Sequence, residues 1–116
     1  MALYTICQAL INPGDEVIIV EPFFDCYAPQ VRIAGGVPVF LPLEQVADDT
    51  SDWRLDLSQL EGKYNRDRLK ALIINNPNNP LGKVYSADEL EQVAKFCIQR
   101  NIICISDEVY EHLVYR

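Results

Sequence analysis

The chain has 116 residues, the size of one domain, and 49% of them are hydrophobic, which is enough for a core. Seventeen acidic residues against ten basic give a formal charge of −7, and no cluster of Lys or Arg forms a stripe, so nucleic acid is not expected as a partner. No apolar run approaches a membrane span, and four cysteines without a CxxC pair, beside a single histidine, argue against structural zinc.

The opening MALYTICQAL lacks the basic start and cleavage site of a signal peptide and the Arg and Ser of a transit peptide, so it reads as mature protein. The cysteines sit mainly within apolar patterns. They are expected to be reduced, partly buried thiols in the cytoplasm or the mitochondrial matrix. Leu3, Ile6, Leu10 and Ile11 fall on one side at helical spacing, predicting a helix over 2–11 that Asn12-Pro13-Gly14-Asp15 stops. EVIIV (16–20) has no alternation and reads as a strand covered on both faces. EPFFDCYAP is a loop, followed by a short helix ending at Gly35-Gly36. VPVF (37–40) is a second strand, with Pro38 marking an edge or a strand start.

PLEQVADDTSDW is polar and irregular, the segment expected to be most exposed. Its Asp48-Asp49 belongs to a solvated loop rather than to an acid/base pair. Asp56-x-x-Gln59 has the form of a capping box opening a helix through about Tyr64. LKALIIN (69–75) is a third strand and the best buried candidate. NNPNNPLG and a brief KVY follow it, and then Ser86-x-x-Glu89 caps a helix expected to bury Leu90, Val93, Ala94 and Cys97. IICIS (102–106) is a fourth strand, ending in DEVYEHLVYR.

Strand and helix alternate throughout, which predicts an α/β fold: a three-layer, mostly parallel sheet with helices on both faces. In open sheets of this kind ligands sit beyond the carboxyl ends of the strands. Three unusual segments occupy that position: EPFFDCY, NNPNNPLG and SDEVY. Asp107 follows IICIS directly. From spacing alone it reads equally as the cap of a helix beginning at Glu108 or as a carboxylate facing a ligand cation. Tyr110 would offer a phenol to the same ligand if the turn is helical. Asn79, held between Asn78 and Pro80, is the most constrained of the loop amides. Phe23-Phe24 reads first as core, although beside a polar pocket one ring could stack on a planar ligand. Carboxylate, phenol, amide and aromatic face together describe a site for a flat, substituted, cationic heteroaromatic. His112, Cys26, Tyr27, Lys83 and Trp53 have ordinary readings as surface or packing residues. With no GxGxxG and no P-loop lysine motif, dinucleotides and nucleoside triphosphates are poorly supported.

GDEVIIVEPFFDCY, NNPNNPLGKVYSADELE and ISDEVYEHLVY, in this order and spacing, resemble pyridoxal-phosphate-dependent aminotransferases of class I/II. The nearest likeness is to the kynurenine aminotransferase, glutamine transaminase K and cysteine-S-conjugate β-lyase group. Kynurenine-type members usually carry His where this chain has Asn78. The resemblance spans residues 1–116 and implies part of the large domain of a fold type I transferase. The N-terminal arm, the C-terminal part of that domain and the small domain would lie outside this chain. It implies pyridoxal 5′-phosphate as cofactor, amino acid and 2-oxo acid as substrates, and a homodimer as the working form. Residue by residue, it implies that Phe24 stacks on the pyridine ring and that Asn79 and Tyr110 share its phenolic oxygen. Asp107 would pair with the ring nitrogen, and Asn75 would belong to the same pocket. It further implies a Schiff-base lysine in a motif after DEVYE, which Lys63, Lys70, Lys83 and Lys95 do not match, so this stretch alone is not expected to catalyse. The substrate-gripping arginine and the Gly-rich phosphate loop would likewise lie elsewhere. The leading expectation is transamination between a kynurenine- or glutamine-like amino acid and a 2-oxo acid. A truncated non-catalytic isoform or pseudo-enzyme, and a carbon–sulfur β-lyase, are the other readings. The sheet is also expected to expose apolar edges.

Overall fold

A computed structural model describes residues 1–46 and 52–114. Asp48-Asp49 lies outside the described residues.

Four parallel strands make the central sheet: β1 (Glu16–Glu21), β2 (Val37–Pro42), β5 (Leu69–Asn75) and β6 (Ile103–Asp107), in the order β2-β1-β5-β6. Along β1 and β5 the side chains alternate between two cores, as the pleat requires. Ile18, Val20, Leu72 and Ile74 face one side, where they meet Val93, Phe96 and Cys97 of helix α3 (Ala87–Arg100) and Leu60. Val17, Ile19, Ala71 and Ile73 face the other. There they meet Cys7 of helix α1 (Ala2–Leu10), Ile11, and Tyr27, Ala28 and Val31 of helix α2 (Tyr27–Ile33). Covered on both faces, β1 and β5 are continuous apolar runs, and the three-layer α/β architecture expected from the sequence is the one observed.

The local signals at helix ends behave as expected. Gly35 at φ +88° follows α2, and its N–H and that of Gly36 donate to the carbonyls of Arg32 and Val31, a Schellman ending. At α3 the Ser86 hydroxyl accepts from Glu89 N at 3.2 Å, and the Glu89 carboxylate accepts from Ser86 N at 2.9 Å, a complete capping box. Asn101, in the left-handed region at φ 53°, ends that helix.

Four expectations differ in detail. The Asp56 box opens only a 3-10 turn, Leu57–Leu60, because Asp56 accepts from Ser58 N and the Gln59 amide turns away to Glu44. On α3 the buried stripe is Val93, Phe96 and Cys97; Leu90 and Ala94 are exposed, because the covered face is rotated about the helix axis toward Val93 and Phe96. On α1, Cys7 rather than Ile6 is buried. The ends of the polar segment are also ordered: Leu43 is buried, and β3 (Glu44–Gln45) pairs antiparallel with β4 (Trp53–Arg54), with Trp53 packed on the core. β6 is an edge strand whose Ile103 and Cys104 are exposed, in line with the expected apolar edge. Among the described residues no helix is long and apolar enough to cross a membrane, and all four cysteines are free thiols.

The chain visits β2 on one side of β1 and then returns to β5 on the other. This reversal between β1 and β5 is a topological switch point, where the loops after adjacent strands diverge and leave a crevice.

Gly36 sits where α2 returns to the sheet. A Cβ there would lie 2.7 Å from Ile11 Cγ2 and 2.9 Å from Val31 Cγ1. Gly36→Ala is therefore expected to destabilise the fold by about 1–3 kcal/mol through overpacking, read as a fall in the thermal unfolding midpoint; an unchanged midpoint would contradict the packing described.

Candidate active site

The crevice beyond β1, β5 and β6 is a cavity of about 450 Å³. Its polar wall is built from Asn75, Asn79, Asp107 and Tyr110, and its aromatic wall from Phe24 and Tyr27. Leu3 and Ile6 of α1 close the apolar side, which is why Ile6 faces away from the core. A wider groove of about 800 Å³ lies between β4 and the start of α3. Within it Lys83 pairs with Glu89 at 3.0 Å and donates to the Trp53 carbonyl.

Asn75 ends β5 opposite Asp107 on β6 and is 3% exposed. Its Nδ2 donates to the Asp107 carbonyl at 2.9 Å, and its Oδ1 accepts from Asn79 N at 2.6 Å. The rest of NNPNNPLG is tied down in the same manner. Asn76 Oδ1 accepts from Tyr85 N. Asn78, also buried, donates to the Pro22 carbonyl from Nδ2 and accepts from Leu81 N at Oδ1. The peptide bonds before Pro22, Pro77 and Pro80 are all cis. The run of asparagines thus supplies side-chain bonds to a loop that lies outside the strand and helix ladders.

Asp107 is half-buried. No helix begins at Glu108; the chain turns, and Asp107 Oδ1 accepts from Val109 N at 3.2 Å. The turn carries Tyr110 across to Asn79, whose Nδ2 lies 3.4 Å from the phenol oxygen. Phe24 is 42% exposed at the cavity wall, whereas Phe23 is packed against the core, stacked on Phe40 with ring centroids 5.6 Å apart. The aromatic pair therefore divides, one ring to the core and one to the cavity. Phe24, Asn75, Asn79, Asp107 and Tyr110 all reach one space.

Tyr27, read from the sequence as a packing residue, is the member that reading missed. Its hydroxyl donates to Asp107 Oδ2 at 2.7 Å. Burial, with the Asp107 hydrogen bond and charge added, pushes its titration well above the ordinary tyrosine range. The available signal was position. A phenol on the buried face of a helix that starts at the carboxyl end of the sheet must find an acceptor, and the acceptors lie in the crevice. His112 is exposed beside Glu111, outside the cavity. Cys26 is half-buried, and burial together with Asp25 pushes its thiol up, away from a nucleophilic thiolate.

A family profile described as aminotransferase class I and II matches residues 1–116. The chain is 52% identical to kynurenine–oxoglutarate transaminase 1 of Homo sapiens, over 98% of this chain and 28% of that protein. It is 51% identical to kynurenine–oxoglutarate transaminase 3 of Mus musculus, over 98% of this chain and 26% of that protein. Among solved structures, N-succinyldiaminopimelate aminotransferase from Mycobacterium tuberculosis superposes with a TM-score of 0.90 at 42% identity, covering 99% of this chain and 29% of that one. The chain thus spans little more than a quarter of the length of the curated relatives it matches.

Two expectations follow from this geometry. Asn75→Ala removes the two side-chain bonds that Asn75 makes and leaves Asn79 N–H without its partner, at a cost of about 1–3 kcal/mol; faster amide exchange at Asn79 is the check, and unchanged exchange would count against it. Tyr27 and Tyr85 are both pushed upward, chiefly by burial. The folded chain therefore holds these protons more tightly than the unfolded chain, whose phenols titrate near pH 10. Their stabilising contribution is complete below about pH 10 and is lost as pH rises above it. Their phenolate absorbance is expected to appear only together with the loss of circular dichroism, and Tyr85→Phe to shrink that joint phase.

Proposed function

This chain belongs to the class I and II aminotransferase family, and on that premise we propose that it is the cofactor-holding part of a longer transaminase. The enzyme moves an amino group from an amino acid, kynurenine- or glutamine-like, to a 2-oxo acid, with pyridoxal 5′-phosphate as cofactor. The observation that carries this reading is the donor set of one cavity. It holds a carboxylate with unfilled lone-pair positions, an amide–phenol pair and an exposed aromatic face, all at the carboxyl ends of adjacent strands. That set fits a flat ring carrying a protonated nitrogen and a phenolic oxygen. The names of the similar proteins support the reaction class, and their greater length supports the view that 1–116 is part of a large domain.

In this reading Asp107 is the partner of the ring nitrogen, Asn79 and Tyr110 of the phenolic oxygen, and Phe24 of the ring face, with Asn75 holding the frame. The cofactor supplies an electron-accepting ring that eases loss of the proton next to the amino nitrogen. Asp107 offers its carboxylate at a fixed place in a half-buried wall, where a cation is held more strongly than in water. Asn79 and Tyr110 offer N–H and O–H donors to a single oxygen, and Phe24 excludes water from one face of the site. The Schiff-base lysine, the substrate-binding arginine and the homodimer expected from the resemblance belong to the whole protein in this reading.

The longest product of the gene is expected to have an intact mass several times that of this chain, to acquire a visible absorption band with pyridoxal 5′-phosphate, and to transaminate. Asp107→Asn is expected to lower turnover about ten- to a hundredfold, the loss of a hydrogen bond to a charged group. A longest product that binds no pyridoxal 5′-phosphate, or an Asp107→Asn variant with undiminished turnover, would defeat the proposal.

A further inference from the structure

Tyr27 joins the two walls of the cavity. Its hydroxyl is bonded to Asp107 Oδ2 at 2.7 Å, and its ring meets Phe24 edge to face, with centroids 5.9 Å apart and planes at 80°. The same ring stacks on Phe23 at 6.4 Å, and Phe23 stacks on Phe40 of β2. Tyr27 is 2% exposed and belongs to the core cluster with Cys7, Val31, Ile73 and Ile105. Core packing, rather than solvent, therefore fixes where its oxygen and ring edge lie.

We infer that Tyr27 is a positioning residue of this site: it holds Asp107 by one carboxylate oxygen and Phe24 by its ring edge, so that the anionic partner of a cationic heteroaromatic ring and the plate for its face keep one mutual geometry. The inference rests on the cofactor reading above. A carboxylate has two oxygens with about four lone-pair positions. Tyr27 takes one on Oδ2 and Val109 N takes one on Oδ1, so the group cannot swing about its Cβ–Cγ bond without losing a bond. The remaining positions stay open to the cavity that Asp107 lines. The upward push on Tyr27 keeps its hydroxyl a donor at any working pH. By contrast, Asn79 and Tyr110 meet at 3.4 Å, a contact loose enough to adjust to a ligand oxygen. A tyrosine needing only an acceptor for burial could use a backbone carbonyl, whereas this one takes the carboxylate of the cavity.

The test compares wild type, Tyr27→Phe, Tyr27→His and Asp107→Asn in the longest gene product, titrated with pyridoxal 5′-phosphate and followed by its visible absorbance against pH. Tyr27→Phe keeps the ring and removes only the donor. It is expected to weaken cofactor binding about tenfold, to shift the pH at which the bound band changes, and to lower kcat with little change in KM for the amino acid. In the Asp107→Asn background the same change should have a smaller effect, since the partner it acts through is altered. Tyr27→His retains a ring N–H donor and should bind the cofactor better than Tyr27→Phe. Wild-type affinity and band behaviour in Tyr27→Phe, or a histidine variant no better than the phenylalanine one, would overturn the inference while Asp107→Asn still weakens binding. A wild-type protein that binds no pyridoxal 5′-phosphate would bring down the cofactor reading and this inference together.

Discussion

The buried amide of Asn75 is the contact on which the geometry of the cavity depends. It stands at the last register position of the β5–β6 pair, opposite Asp107, and gives its donor to one loop and its acceptor to the other. With 3% exposure there is no water to replace either bond, so both loops take their position from one side chain set at the end of a central strand. The Asn76 backbone N–H adds a second bond to the Asp107 carbonyl at 3.0 Å. The carboxylate of Asp107, the amide of Asn79 and, through the turn after β6, the phenol of Tyr110 are all referenced to this junction. A site built on strand ends in this manner inherits the precision of the sheet.

The rest of the fold serves that junction from two directions. On one face, α3 and its capping box press Val93, Phe96 and Cys97 onto Leu72 and Ile74, so β5 is held by packing as well as by pairing. Glu89 also ties the Trp53–Leu55 segment to the start of α3. Burial pushes its carboxyl up, but hydrogen bonds from Ser86, Lys83 and Leu55 outweigh that and hold it below its ordinary value. On the other face, the loop after β1 delivers Phe24 to the cavity and the first residue of α2 delivers Tyr27. The polar groups of the cavity thus stand on an apolar core that differs on the two sides of the sheet, and the crevice opens where the strand order reverses between β1 and β5.

Much of this was readable along the chain, for reasons that differ from element to element. The strands over 16–20 and 69–75 were legible because burial on both faces demands an unbroken apolar run. The Ser86 box and the Gly35 ending were legible because their partners lie three to five residues away. The cavity residues Asn79, Asp107 and Tyr110 stood out because polar groups placed straight after buried strands have few other uses. The Asp56 box did not extend into a helix because Gln59 bonds Glu44, fifteen residues distant, and neither box position carries information about that contact. Leu90 and Ala94 fit the helical period, yet the rotation of α3 against the sheet, toward Val93 and Phe96, decides which side of the helix is covered.

What the sequence determined by itself is the alternation of strand and helix, the positions of the caps and turns, and the kinds of group gathered at the carboxyl ends of the strands; these depend on backbone chemistry and on neighbours within a few residues. Only the tertiary structure decided that Phe24 faces the cavity while Phe23 joins the core, that Asn75 bridges two loops, and that Tyr27 holds Asp107 from eighty positions away. Such contacts follow from which strands lie side by side. That order, β2-β1-β5-β6, is selected by the packing of the whole sheet between its two helical layers, a property that no single segment carries.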